Sequence, residues 1–201
     1  MKNSMITDII IHGIKEKCFL FKNKTLPSSI KTIDLKISDK VDFSSIVKTD
    51  ENKNLFIKIT PSKYGNKNKK LRFILREIIA ERLCLNVKTI REFRSTKKLR
   101  KIGINTPEVY SAGFFLTNKS KYSGIIIYKM LNNQVTAKEY MLSSESNENK
   151  AALLDRMTND YKKMSKKGIH FYDYHLSNVL VNTKTLDIYW IDPILKNISY
   201  F

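Results

Sequence analysis

GIHFYDYHLSNVLVNTKTLDIYWIDP, residues Gly168 to Pro193, sets three polar residues, Asp173, Asn178 and Asp192, in an otherwise apolar strand-turn-strand framework. Asn178 to Val181 and Leu186 to Ile191 are rich in Val, Ile, Tyr and Trp. Between them Asn182-Thr183-Lys184-Thr185 is a polar turn, so the pattern predicts two short strands paired as a hairpin. A hairpin folds back on itself, which brings its entry, with Asp173 and Asn178, beside its exit at Asp192. Oxygen donors converging there suit Mg²⁺, which takes a few carboxylates together with substrate phosphates and waters. Upstream, Lys150 to Lys167 carries Leu153, Leu154, Met157, Tyr161 and Met164 at the recurrence of a half-buried helix, and Gly168 is its stop signal.

Leu55 to Thr60 has the composition of a strand with Lys58 as its one charge. Thr32 to Ile37 and Phe43 to Lys48 are further strand-like segments before it. From Asn68 to Ile102 the pattern is helical, with Leu71, Ile74, Leu75, Ile78, Ile79 and Leu83 on one face. Asn86 marks a break, after which a second helix runs from about Lys88 to Arg100 and closes before Gly103. Glu108 to Leu116 and Tyr122 to Leu131 then read as two strands, the second apolar enough to be central.

The spacing of the hairpin residues resembles a protein-kinase-like catalytic core. Asp173 with Asn178 five residues later is similar to the catalytic loop of that fold, in the Asp-x-His-x-x-Asn form of bacterial small-molecule kinases, and Asp192 to its metal-binding aspartate. The resemblance implies that Asp173 accepts the proton of the acceptor hydroxyl while Asn178 and Asp192 hold Mg²⁺. His175 would lie near the transferred phosphate. It further implies that Lys58 holds the α- and β-phosphates of ATP, that a helix glutamate holds Lys58, and that backbone groups of Lys129, Met130 and Leu131 take the adenine. Glu92 is the choice for that glutamate, with Glu77 and Glu81 as rivals on the preceding helix.

The basic helix with its inward Glu92, then Gly103-Ile104-Asn105-Thr106-Pro107 and a strand, is similar to the equivalent stretch of the lipopolysaccharide core kinases and of small RIO-like kinases. From about Thr32 to Pro193 the chain resembles the lipopolysaccharide kinase family, either Kdo kinases or core heptose kinases. The expected fold is α+β and two-lobed. Residues 1–131 would form an N-lobe with a small antiparallel sheet and an N-terminal extension, and residues 132–201 a short, truncated, mainly helical C-lobe. The expected activity is ATP-dependent phosphorylation of a hydroxyl on an inner-core sugar, at the cytoplasmic face of the inner membrane.

A formal charge of +18, from 37 basic and 19 acidic residues, favours polyanionic partners. The basic residues cluster at Lys63, Lys67, Lys69, Lys70 and Arg72, at Lys97, Lys98, Arg100 and Lys101, and at Lys162, Lys163, Lys166 and Lys167. Each contributes about 1 kcal/mol near an anionic membrane surface, which fits a glycolipid acceptor on a leaflet. Nucleic acid is disfavoured, because Phe73 and Phe93 are the aromatics within the helical basic region and both read as core. No apolar run reaches the roughly 20 residues of a membrane span. Cys18 and Cys84 have no metal-like spacing, so structural roles in a reducing compartment are expected. The stretch between Thr32 and Lys58 contains no glycine, which with the short C-terminus makes a nucleotide-binding scaffold without transfer a rival reading, and a RIO-like or other small atypical protein kinase is the nearest competitor within the enzyme class. The nine residues after Asp192 leave little surface for a peptide, which points to a small or membrane-presented acceptor.

Overall fold

The computed structural model describes residues 4–11, 14–22, 32–35, 46–50, 54–62, 86–116 and 122–197. The first helix of the expected pair with Glu77 and Glu81, the glycine-free nucleotide loop, Phe73, Cys84 and the basic run from Lys63 to Arg72 lie outside them.

Five strands come first: β1 (Ser4–Ile11), β2 (Ile14–Lys22), β3 (Thr32–Leu35), β4 (Ile46–Asp50) and β5 (Leu55–Pro61). Helix α1 (Lys88–Lys101) follows, then β6 (Val109–Phe115), β7 (Tyr122–Lys129) and β8 (Gln134–Thr136). Helices α2 (Ala137–Leu142) and α3 (Asn147–Lys166) lead to β9 (Ile169–Phe171), β10 (Val179–Asn182), β11 (Ile188–Trp190) and β12 (Leu195–Asn197). The chain divides into two compact units: residues 1–93 with 108–130, and residues 94–107 with 131–201. The division cuts α1, whose first turns belong to the first unit and whose remainder belongs to the second.

In the first unit, seven of these strands form one sheet in the order β3-β1-β2-β6-β7-β5-β4. The α+β architecture stands, and the sheet gains a hairpin, β1–β2, from the segment expected to be an extension. Thr32–Leu35 runs parallel to β1 at the sheet edge, away from β5, while Ile46–Asp50 pairs antiparallel with β5. Strand β7 is buried from Gly124 to Tyr128 because both of its faces are covered there. Ile125 and Ile127 join Ile9, Ile11, Cys18, Leu20, Leu55, Ile57, Ile59 and Phe115 on one side. Ile126 and Tyr128 meet Val87, Ile90 and Phe93 of the α1 region on the other. Burying one such isoleucine contributes roughly 1.5–3 kcal/mol.

Helix α1 lies so close to the sheet that a glycine is required beneath it. A Cβ on Gly124 would collide with Thr89 Oγ1 and come within 2.8 Å of Val87 Cγ1. Thr89 in turn donates to the carbonyl of Gly113 at 2.9 Å, tying the first turn of the helix to β6.

In the second unit, α3 starts on Ser146, whose side chain accepts from Asn149 N, and ends before Gly168 at φ 61, a conformation that costs glycine little. Its buried face is Leu153, Met157, Asp160 and Met164. Leu154 and Tyr161, expected on that face, are exposed: each lies one position from a buried residue, around the edge of the apolar stripe. Asp160 takes a core position because Trp190, fully buried on β11, donates its indole N–H to Asp160 Oδ2 at 3.0 Å. A buried indole needs such an acceptor, and this one fastens α3 to the hairpin.

Candidate active site

Two groups of polar residues, one in each unit, stand out against these cores. In the first unit Lys58 sits in mid-strand on β5, facing Ile126 of β7 in the register. Alternation along the strands puts Lys58, Ile126 and Tyr128 on the face that α1 covers. Glu92 enters that face from the helix. Lys58 Nζ lies 3.2 Å from Glu92 Oε2 and 3.4 Å from Oε1, with both side chains almost wholly buried, at 4% and 3% exposure. The Tyr128 hydroxyl donates to Glu92 Oε1 as well. A carboxylate buried this deeply needs charge and hydrogen bonds to remain ionised, and the ammonium and phenol supply both. Among the described residues Glu92 is the glutamate at Lys58, while Glu77 and Glu81 lie outside them.

Tyr128 was not singled out by the sequence pattern, which treats Tyr122 to Leu131 as a buried strand. The signal was parity: Tyr128 is two residues from Ile126, the register partner of Lys58, and so shares its face.

Just beyond Tyr128 the backbone is already committed at two positions. The N–H of Lys129 donates to Glu108 O at 2.8 Å and that of Met130 to Asn54 O at 2.8 Å. Asn54 reaches this position in a left-handed conformation, φ 51, at the turn into β5. These two N–H groups close the sheet.

In the second unit, β10 and β11 pair antiparallel with Val179 opposite Trp190, as the hairpin pattern predicts. The loop before β10 forms a single 3₁₀ turn, Leu176–Asn178. Asn178 is buried, and its Nδ2 donates to the carbonyl of Asp173 at 2.9 Å while its own N–H donates to His175 O at 3.0 Å. These bonds fix the curvature of the loop and leave the Asn178 Oδ1 as the atom to turn toward a cation. Asp173 and His175 are both about half exposed, with His175 Nε2 3.3 Å from Asp173 Oδ1. At the hairpin exit the N–H of Ile191 donates to Asn178 O at 2.9 Å, which holds the residue preceding Asp192 against the loop. Asp192 itself adopts φ 50. A non-glycine residue in the left-handed region costs energy, and an aspartate held there is locally constrained. A carboxylate and a carboxamide are donor types that Mg²⁺ accepts when phosphates and waters complete its shell.

Two solved structures share this architecture. One, described as WaaP in complex with acyl carrier protein, aligns with a TM-score of 0.53 and 14% identity over 81% of this chain and 62% of that one. The other, the bifunctional kinase-methyltransferase WbdD, aligns with a TM-score of 0.50 and 16% identity over 78% of this chain and 31% of that one. The chain shares the fold of these two structures. It spans less than two thirds of the length of either structure. No protein-family model matches the sequence, and no curated protein matches it.

Among the described residues the basic clusters sit at solvent. Lys97, Arg100 and Lys101 are exposed on α1, and Lys162, Lys163, Lys166 and Lys167 are exposed on and just after α3. Lys163 is engaged with Asp160 at 3.3 Å. No helix of the described residues is long and apolar enough to cross a membrane. The thiol of Cys18 is buried and donates to Phe114 O at 3.2 Å, and burial, reinforced by the charge of Glu16, pushes its pKa far up, as befits a structural rather than a reactive cysteine.

Proposed function

We propose that the chain is an ATP-dependent phosphotransferase whose acceptor is a hydroxyl of an inner-core lipopolysaccharide sugar, a heptose or Kdo. The observation that carries the reading is the buried Lys58–Glu92 pair. An ion pair inside an apolar layer adds little to stability compared with an apolar replacement, whereas a lysine fixed on a strand by a helix glutamate is the device that orients nucleotide phosphates in kinase folds.

In this reading Lys58, oriented by Glu92, takes the α- and β-phosphates. Asn178 Oδ1 and the Asp192 carboxylate hold Mg²⁺, which when bound neutralises charge on the phosphates. Asp173 orients the acceptor hydroxyl and receives its proton as that oxygen bonds to the γ-phosphorus and the bond to the bridging oxygen of ADP breaks. His175, beside Asp173, donates a hydrogen bond to the transferred group in this reading. Positioning and charge neutralisation supply most of the acceleration in such reactions. For adenine, the carbonyl of Lys129 and the N–H of Leu131 are the hinge groups we assign, since the amides of Lys129 and Met130 are engaged in the sheet. The exposed lysines of α1 and α3 suit a peripheral position on the anionic inner leaflet, where the glycolipid acceptor is presented.

A nucleotide-binding scaffold without transfer is the second reading, favoured by the absence of glycine between Thr32 and Lys58. Labelled γ-phosphate transfer from Mg-ATP to a panel of inner-core acceptors separates the two. Transfer to a heptose or Kdo acceptor supports the enzyme. Tight Mg-ATP binding with no transfer to any acceptor supports the scaffold.

A further inference from the structure

Among the described residues the carboxylate of Glu92 accepts from Lys58 and from the Tyr128 hydroxyl, and the phenol has no place in the proposed chemistry. Tyr128 lies on β7, opposite Phe56 in the register and in ring contact with it at 6.2 Å between centroids. Tyr128 is 6% exposed and packs among Val87, Ile90 and Phe93, so the phenol is held by its surroundings rather than by Glu92 alone. Its hydroxyl nevertheless reaches Glu92 Oε1, while Lys58 Nζ is nearer Oε2. Oε1 thus takes both the strand-borne phenol and the strand-borne ammonium, and the ammonium also reaches Oε2, which defines the plane of the carboxylate.

We propose that Tyr128 is a positioning residue for nucleotide binding, acting through Glu92. The lysine is the member of the triad that must also serve the phosphates. When its ammonium turns toward them, Glu92 loses part of its hydrogen bonding inside a layer that contains Val87, Ile90 and Phe93. A buried carboxylate deprived of donors would rotate or take up a proton. The Tyr128 hydroxyl keeps one oxygen bonded throughout, so that Glu92 stays ionised and aimed at Lys58. Phenylalanine keeps the ring and its packing and removes that function. The inference rests on the reading of Lys58 as the phosphate-binding lysine.

The test is Mg-ATP affinity by calorimetry on the full chain, which needs no acceptor. Tyr128→Phe should weaken binding about tenfold, the scale of one hydrogen bond to a charged group. In a Glu92→Gln background the same change should add almost nothing, because the two act through one carboxylate. A thermal melt of Tyr128→Phe within a few degrees of wild type separates the effect from unfolding, and Tyr128→Leu, which also loses the ring, serves as the destabilised reference. Unchanged affinity in Tyr128→Phe, or the same tenfold loss with and without Glu92, overturns the proposal. Wild-type protein that does not bind Mg-ATP overturns the reading beneath it instead.

Discussion

Lys58→Met removes the ammonium and keeps an unbranched stem in the same slot, leaving the buried Glu92 with the Tyr128 hydroxyl but without its counter-charge. Breaking a buried pair by deleting one partner costs about 3–5 kcal/mol. The surviving phenol bond, of a kind that contributes about 1.5–3 kcal/mol to a charged acceptor, argues for the lower end. We expect a loss of about 3 kcal/mol, which for a chain of this size lowers the melting temperature by about 6–12 °C. The double variant Lys58→Met/Glu92→Leu removes both charges and should recover most of that loss, since an apolar pair of similar volume replaces a buried ion pair at little cost. Urea unfolding followed by far-ultraviolet circular dichroism measures all three proteins. A single variant with an unchanged midpoint, or a double variant no more stable than Lys58→Met, would refute the claim that Glu92 is a desolvated carboxylate held by its donors.

Other expectations follow from the same packing. Gly124→Ala drives a methyl group into Thr89 and Val87; it should cost about 1–3 kcal/mol as overpacking does and weaken Mg-ATP binding by lifting α1, with calorimetry and melting as readouts. Trp190→Phe deletes the donor to Asp160. It should destabilise the chain by about 1.5–3 kcal/mol without changing Mg-ATP affinity, measured by urea unfolding and calorimetry. Glu139 in the capping box of α2 is held below the ordinary carboxylate range by the backbone N–H and then the hydroxyl of Thr136. Its folded-state pKa is depressed, so its contribution is present above the ordinary carboxylate pKa and is lost as pH falls through the folded value. Glu139→Gln should remove that acid-side dependence of the unfolding midpoint.

The hairpin was legible because every signal agreed. Two β-branched and aromatic runs, a four-residue polar turn and polar residues at the two ends all specify one local structure. Lys58 was legible for a similar reason: a lone charge in an apolar strand must be buried with a partner or stand at an edge, and Glu92 is the partner. The β1–β2 hairpin was missed although its turn is short. Two residues, the second a glycine, separate Ile11 from Ile14, which face each other in the register, and such a loop is a hairpin signal. The run Ile9-Ile10-Ile11 hid the strand alternation by being apolar on both faces. Leu154 and Tyr161 misled because a helical stripe has a width, and residues at its edge are apolar without being covered. Tyr128 was hidden because a phenol in a run of isoleucines reads as core, and only the register with Lys58 shows that its hydroxyl has work to do. The engagement of the Lys129 and Met130 amides was beyond the sequence altogether, because their acceptors, Glu108 and Asn54, are brought near only when the sheet closes.

The central claim is tested most directly by comparing wild type, Asp173→Asn and Asp192→Asn for phosphate transfer from Mg-ATP to an inner-core acceptor, with Mg-ATP affinity measured in parallel. Asp173→Asn should keep its affinity for Mg-ATP and lose about 10²–10⁴ in rate, as removal of a general base does, while Asp192→Asn should lose transfer together with Mg²⁺-dependent nucleotide binding. Wild-type rates in Asp173→Asn, or Mg-ATP affinity unchanged in Asp192→Asn, would contradict that claim.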